Sequence, residues 1–231
     1  MEIGKAFGFV TEDEQWITKV LLGGLISLIP FVGALAIYGY SYRVAQNVAR
    51  GNLRPMPAWG EFGDLLARGF FAWVIQIVYL LPVMVLYFLF AILTAGAAAL
   101  TTDSDGGGGA GALIGLCLLP LVIIAAIVCG LAALAAIMRF LATDSFGEAF
   151  KFGEVFASIR NNIGTLIMLL VVAILAGLAA SLGLIACGVG VLFTTFYAQC
   201  VIGHAIGQVM PRFYPMRGVP VAPGYGPPPG Y

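Results

Sequence analysis

His204 is the only histidine in the chain, and Cys200 stands four residues before it, one helical turn away on the same face. An imidazole and a thiolate at that spacing are half of a closed tetrahedral zinc site, and no acid or second cysteine completes it. The pair is therefore read as packing, and no metal, cofactor or catalytic residue is assigned. All eleven acidic residues lie outside the central parts of the apolar runs. A carboxylate inside an apolar run would mark a proton relay or ion pathway, and that mark is missing. Arg43 is the deepest charge, two turns inside Arg50. Its chemistry would be a lipid phosphate or a partner's carboxylate, against the default of snorkelling to the headgroups. Gln76, Thr165, Thr194, Thr195 and Gln199 could line a narrow pathway, but hydrogen bonding across helix interfaces is the preferred reading.

Other familiar chemistries fail on their own motifs. Cys117, Cys129, Cys187 and Cys200 all sit in apolar runs without a CxxC neighbour. The run Thr101-Thr102-Asp103-Ser104-Asp105 and the four glycines after it lack the Gly-Lys-Ser/Thr of a phosphate-binding loop. Eleven Lys and Arg balance eleven Asp and Glu, so there is no basic footprint for nucleic acid. An enzyme is not expected.

The elements that must hold these residues are membrane helices. Hydrophobic residues make up 61% of the chain and charged ones 10%, against about 25% charged in a soluble domain. Apolar stretches near the ~20 residues of a membrane span occur at about 20–42, 70–94, 111–138, 163–182 and 185–206. The first is ambiguous, because Pro30 and Gly33 interrupt a helical pattern running from Glu14 to Arg50. It is either one kinked span or a short hairpin turned at Ile29-Pro30-Phe31-Val32-Gly33. With the hairpin, all eleven basic residues fall on one side of the membrane; with a single span, Lys5 and Lys19 are stranded on the other. The favoured fold is thus an all-α integral membrane protein of five to six transmembrane helices, six preferred, with both termini in the cytoplasm.

The acidic segment before Trp16 is the wrong pattern for a secretory leader, so no cleavable signal is expected. Residues 1–15 are assigned as an N-terminal interfacial segment, 16–210 as the membrane domain with a Gly-rich outer loop at 95–110, and 211–231 as a Pro/Gly/Tyr-rich tail. Leu25 to Val44 overlays Leu182 to Val201 with six identities, including Gly33/Gly190 and Tyr40/Tyr197. The repeat would make the first helix pair the counterpart of the last, in the same orientation. Ser145-Phe146-Gly147-Glu148 is a capping-box pattern opening an interfacial helix at 145–160, with Phe150 and Phe156 on its apolar face. Thr11 to Glu14 is a second capping box before Trp16, and Asp64 and Arg68 are spaced to pair one helical turn apart. Gly111/Gly115 and Gly203/Gly207 are GxxxG pairs, and Gly177/Ser181 and Ala126/Gly130 are small-residue pairs suited to helix packing. Pro82 and Pro120 fall mid-span.

Trp16, Gly23-Gly24, Ile29-Pro30, Gly39-Tyr40, Arg50-Gly51 and the segment from Pro57 through Trp59-Gly60-Glu61-Phe62-Gly63-Asp64 resemble the bacterial and archaeal membrane family catalogued as domain of unknown function 4013. The end, from Gly190 through Tyr197 and His204 to Gln208, is similar to that family's last helix. Members often carry two acids after the tryptophan, where this chain has Gly60-Glu61. The resemblance implies an integral membrane protein and brings no catalytic residues. Arg43, Trp59, Phe62, Asp64, Phe150 and Phe156 are the candidate contacts to lipid or a partner. The functional expectation is a non-enzymatic accessory, assembly or scaffold subunit of a membrane complex, with membrane lipids and a protein partner or second copy as contacts; the alternative is a carrier or pore for a small or lipidic solute.

Overall fold

A computed structural model describes residues 2–100, 108–185 and 189–214, all of them helix or connecting turn. The α-helices are α1 (Ile3–Gly8), α2 (Trp16–Ile26), α3 (Val32–Ala49), α4 (Phe62–Leu100), α5 (Gly108–Thr143), α6 (Phe152–Asn161), α7 (Ile163–Ser181) and α8 (Gly190–Phe213). Short 3₁₀ turns cover Trp59–Glu61, Phe146–Phe150 and Leu182–Ile185. Of the outer loop expected at 95–110, residues 95–100 continue α4 and 108–110 open α5, because the small apolar residues there extend both helices; residues 101–107 and the tail beyond Tyr214 lie outside the described residues.

The break expected at Pro30 is present. Pro30 lacks the N–H a continuing helix needs, and Phe31 adopts a positive φ of 63°. Gly33 then lies so close under the Ile26 carbonyl that a Cβ would overlap it. The Lys19 ammonium donates to the Met56 carbonyl at 3.1 Å, and the Trp59 indole donates to the Lys19 carbonyl at 3.1 Å. The start of α2 is thereby tied to the segment that follows α3, so the two helices form a hairpin. At 11 residues α2 is about 16 Å long, roughly half the hydrocarbon thickness. Four stretches are long and apolar enough to cross a membrane: Trp59–Ala99, Ala112–Thr143, Ile163–Ile185 and Gly190–Phe213. The 18 residues of α3 reach far enough, but Ser41, Arg43, Gln46 and Asn47 make it too polar to join them.

Packing directions follow from individual contacts. Gly203 meets Ser41 and Gly207 meets Ala45, so α3 and α8 run parallel. The Ser41 hydroxyl donates to the Gln199 carbonyl at 2.6 Å in the same seam. Gly39 abuts Leu65 and Gly69, while Gly69 abuts Leu35, so α4 runs back against α3. Phe71 meets Phe140 with ring centroids 6.1 Å apart, and Gly115 lies beside Phe90 and Thr94, which sets α5 antiparallel to α4. The Thr194 hydroxyl donates to the Ala180 carbonyl at 2.7 Å across the α7–α8 hairpin. The proposed repeat has matching features: α3 and α8 are parallel, and Tyr40 and Tyr197 both donate a phenol to a carbonyl outside their own helix, Pro57 at 3.0 Å and Phe7 at 2.6 Å.

Two expected caps are not formed. Ser145 makes no side-chain cap bond, and the chain there takes a 3₁₀ turn, breaks at Lys151 and only then enters α6. Glu148 turns to Arg139 and Lys151 instead of back to the Ser145 backbone, because two cations outcompete one amide. The Thr11 hydroxyl donates to the Gly8 carbonyl, the Gln15 N–H donates to Asp13 Oδ1 at 2.9 Å, and the Gln15 side chain makes no cap bond to α2.

Candidate functional site

Charge gathers at one end of the bundle, where α3, α5 and α8 finish and α4 begins. Asp144 is its hub. It follows the last residue of α5 with φ 51°, a left-handed stop that Asp tolerates better than most side chains. That backbone turn aims the carboxylate back at the end of α3 and at α4. Arg68 Nη1 donates to it at 2.9 Å, Arg50 Nη2 at 3.3 Å and the fully buried Gln46 Nε2 at 3.0 Å. Arg68 also donates to Asp64 at 2.8 Å, the pairing expected from their spacing, and Arg43 reaches Glu61 at 3.5 Å.

A second cluster centres on Arg139, 8% exposed, which pairs with Glu148 at 2.6 Å and with Glu154, while its guanidinium lies 5.4 Å from the centroid of the Tyr214 ring. Hydrogen bonds from Lys151 and Arg139 hold the Glu148 carboxyl below its ordinary pKa. A third pair, Lys19 and Asp13 at 2.7 Å, is almost enclosed. These ion pairs tie α3, α4, α5 and α6 together at one polar end, with Lys19 holding the start of α2 to the segment before it.

Burial raises the Asp144 pKa, but the hydrogen bonds from Arg68 and Gln46 and the charges of Arg68 and Arg50 outweigh it, so the net shift is downward. A depressed folded pKa stabilises the fold above the unfolded carboxyl value of about 3.9, and the contribution is lost as pH falls through the folded value. Asp144→Asn keeps the left-handed turn and removes only the charge. Because half of the side chain is exposed and screened by water, the expected loss is on the order of 1 kcal/mol at neutral pH. Unfolding in mixed micelles across pH 3 to 7 should show the gap between wild type and variant closing at the acid end; a gap independent of pH would refute the charge assignment.

The structure engages most of the sequence candidates within the chain. Arg43 is ion-paired, and Asp64 belongs to Arg68. Trp59 stacks on Tyr40 at 4.7 Å and lies beside Phe196 at 5.7 Å. Phe62 opens α4 half-buried, and Phe150 packs on Phe146 at 5.0 Å. Phe156, 50% exposed, is the candidate left facing outward, with Phe152 beside it at 49%. Of the packing glycines, Gly203 and Gly207 sit in the α3–α8 seam, Gly115 touches α4 at ordinary van der Waals distance, and the surroundings of Gly111 lie outside the described residues. Gly130 and Gly177 have nothing within 4 Å of a built Cβ. Sequence reasoning gave Gly39 no packing role and missed Gly69, Gln46 and Asp144; an αL-tolerant Asp directly after a long apolar helix was the available signal for the last.

Two cavities bounded by described residues bear on function. One, of about 250 Å³, is apolar and lies between α5, α7 and α8, where Ala126, Gly130, Ala173 and Ala205 leave room among larger aliphatic residues. The other, of about 320 Å³, is polar and lies at the charged end between α1, α8 and the segment after α3. Among the described residues no group of three or more His, Cys, Asp or Glu is placed to hold a metal. His204 is 4% exposed, stacked on Phe9 at 4.4 Å, with its Nδ1 on the Gln208 amide and Cys200 fully buried. A family model described as "Protein of unknown function (DUF4013)" matches residues 22–189. No curated protein and no solved structure matches the chain.

Proposed function

The chain belongs to the DUF4013 family of proteins of unknown function, and we propose that it is a non-enzymatic multi-pass protein of a prokaryotic cytoplasmic membrane, serving as an accessory, assembly or scaffold subunit of a membrane complex. The observation that supports this reading is the α4–α5 pair. Only 6% of the most apolar window of α4 and none of that of α5 is buried by the rest of the chain. Leu81, Phe88 and Ile92 on α4 and Leu116, Ile124 and Ile127 on α5 face outward. Lipid covers such a face by default, and association of membrane helices needs close packing in addition to apolarity, which the outward faces of two long helices are able to offer a partner. A helix that is apolar all round is a membrane span or the core of an assembly.

In this reading the charged end faces the cytoplasm, the α2–α3 hairpin dips in from that side, and six helices enter the membrane with both termini inside. Single cysteines at Gly4, Leu53 and Gly108, in a background without the native four, are expected to react with an impermeant reagent from outside only at Gly108; Leu53 is 97% exposed at the charged end. Labelling of Gly4 or Leu53 from outside would overturn the orientation. Photo-cross-linkers at Leu89 and Ile124, both outward-facing, are expected to capture one and the same protein of defined mass from native membranes.

The second reading, a carrier for a small or lipidic solute, is favoured by the apolar cavity beside α7. Lipid adducts alone at both cross-linking positions, together with solute flux in liposomes holding only this chain, would replace the accessory role with that one.

A further inference from the structure

The polar cavity of about 320 Å³ is bounded by Glu2, Lys5, Glu12, Asn52, His204 and Gln208, with Phe9 and Pro55 among its apolar walls. We propose that it binds a small zwitterion carrying a phosphate and a primary ammonium, a phosphoethanolamine-type group. The argument begins with the amide of Gln208. Its Oε1 accepts the Glu2 backbone N–H at 2.6 Å, and its Nε2 donates to the Glu2 carbonyl at 3.1 Å, so the amide cannot be turned the other way round without losing both bonds. The same Nε2 lies 3.1 Å from His204 Nδ1. An NH₂ group can only donate there, so Nδ1 is the acceptor and the proton of the neutral ring sits on Nε2.

That Nε2–H has no partner among the described residues. It is not among the side-chain atoms that are both sealed from solvent and unpaired, which are Gln46 Oε1, Arg139 Nε and Tyr214 Oη. The ring is 4% exposed and lines the cavity, so the free donor opens into it. An anion is the ligand such a donor selects, and Lys5 supplies a cation at the same cavity. Glu2 and Glu12 bring two carboxylates to it, and among the described residues neither they nor Lys5 are ion-paired within the chain. An anion alone would face those carboxylates; a ligand that also carries an ammonium turns the repulsion into a second charge-assisted contact. The volume accommodates a phosphoethanolamine group with a few waters, and the free zwitterion and a lipid headgroup present the same chemistry.

Because His204 is the only histidine, imidazole-¹⁵N labelling reports on this site without ambiguity. In the full chain held in phosphatidylcholine nanodiscs, the free ring is expected to show a bare Nδ1 and a protonated Nε2. Soluble phosphoethanolamine should then shift the Nε2 resonance if the ligand is the free zwitterion; phosphatidylethanolamine included in the disc should shift it if the ligand is the headgroup. Lys5→Gln and Glu12→Gln, both at exposed side chains, should each weaken the response by about tenfold, the loss of one charge-assisted hydrogen bond. The proposal is overturned by no shift from either source, by a shift that survives both substitutions, or by an equal response to phosphocholine, whose quaternary ammonium has no N–H for the carboxylates. None of these residues lies on α4 or α5, so the cross-linking result and this one can fail separately.

Discussion

Gly39→Ala and Gly203→Ala are each expected to destabilise the folded bundle by about 3 kcal/mol, the upper part of the usual overpacking range. A Cβ at Gly39 would overlap the Leu65 carbonyl and approach the Gly69 nitrogen at 3.1 Å; one at Gly203 would overlap the Ser41 carbonyl and stand 2.7 Å from its hydroxyl. The obstructing atoms are mainly backbone, which no rotamer change can move aside, so α3 must part from α4 in one variant and from α8 in the other. Gly115→Ala is the control. Its Cβ would lie 3.6 Å from Thr94 Cγ2, an ordinary contact, and the lost backbone freedom of glycine should leave stability unchanged or raised by about 0.5 kcal/mol. Unfolding by SDS in mixed micelles measures all three. Equal behaviour of the three variants would show that α3 is not held at backbone contact.

This contrast also shows what the sequence can and cannot convey. GxxxG spacing picked out Gly203 and Gly207 because a four-residue repeat places both on one helical face, and the structure puts that face against α3. The same pattern marked Gly111 and Gly115, yet Gly115 only grazes α4, because spacing states which residues share a face and not how near the next backbone comes. Gly39 and Gly69 form the tightest reciprocal contact without any repeat between them, since each fills the hollow left by the other from a different helix. The α2–α3 hairpin was legible because Pro30 forbids the helical hydrogen bond and the basic residues needed one side. The number of full spans was not, because hydropathy counts apolar residues and the length of α2 is decided by where Phe31 turns. Ser145 and Thr11 matched capping patterns that Arg139, Lys151 and the local turns then diverted. The charged end was readable in the placement of the basic residues, whereas its wiring through Asp144 joins residues 98, 94 and 76 positions apart.

Tyr40→Ala is expected to cost about 4 kcal/mol, the scale for removing a buried aromatic ring and leaving its cavity. Tyr40 is fully enclosed, with Trp59 stacked on it at 4.7 Å and Phe196 edge-on at 5.1 Å. Gly23 of α2 lies against the Phe196 ring, where its Cβ would come within 2.5 Å of Cδ2, and the Trp59 indole is bonded to the Lys19 carbonyl. The cluster around this ring therefore joins α3 to α8, to α2 and to the turn that enters α4. Tyr40→Phe keeps the ring and removes only the donor to the Pro57 carbonyl, so it should cost about 1 kcal/mol. Trp59→Ala discriminates between packing and partner contact at the most specific segment of the family resemblance. If Trp59 serves the aromatic cluster, its loss should lower the unfolding midpoint about as much as Tyr40→Ala does, and the two losses should be non-additive because the rings touch. A Trp59→Ala variant with unchanged stability would assign that indole to a partner instead, and the cluster would then rest on Tyr40 and Phe196 alone.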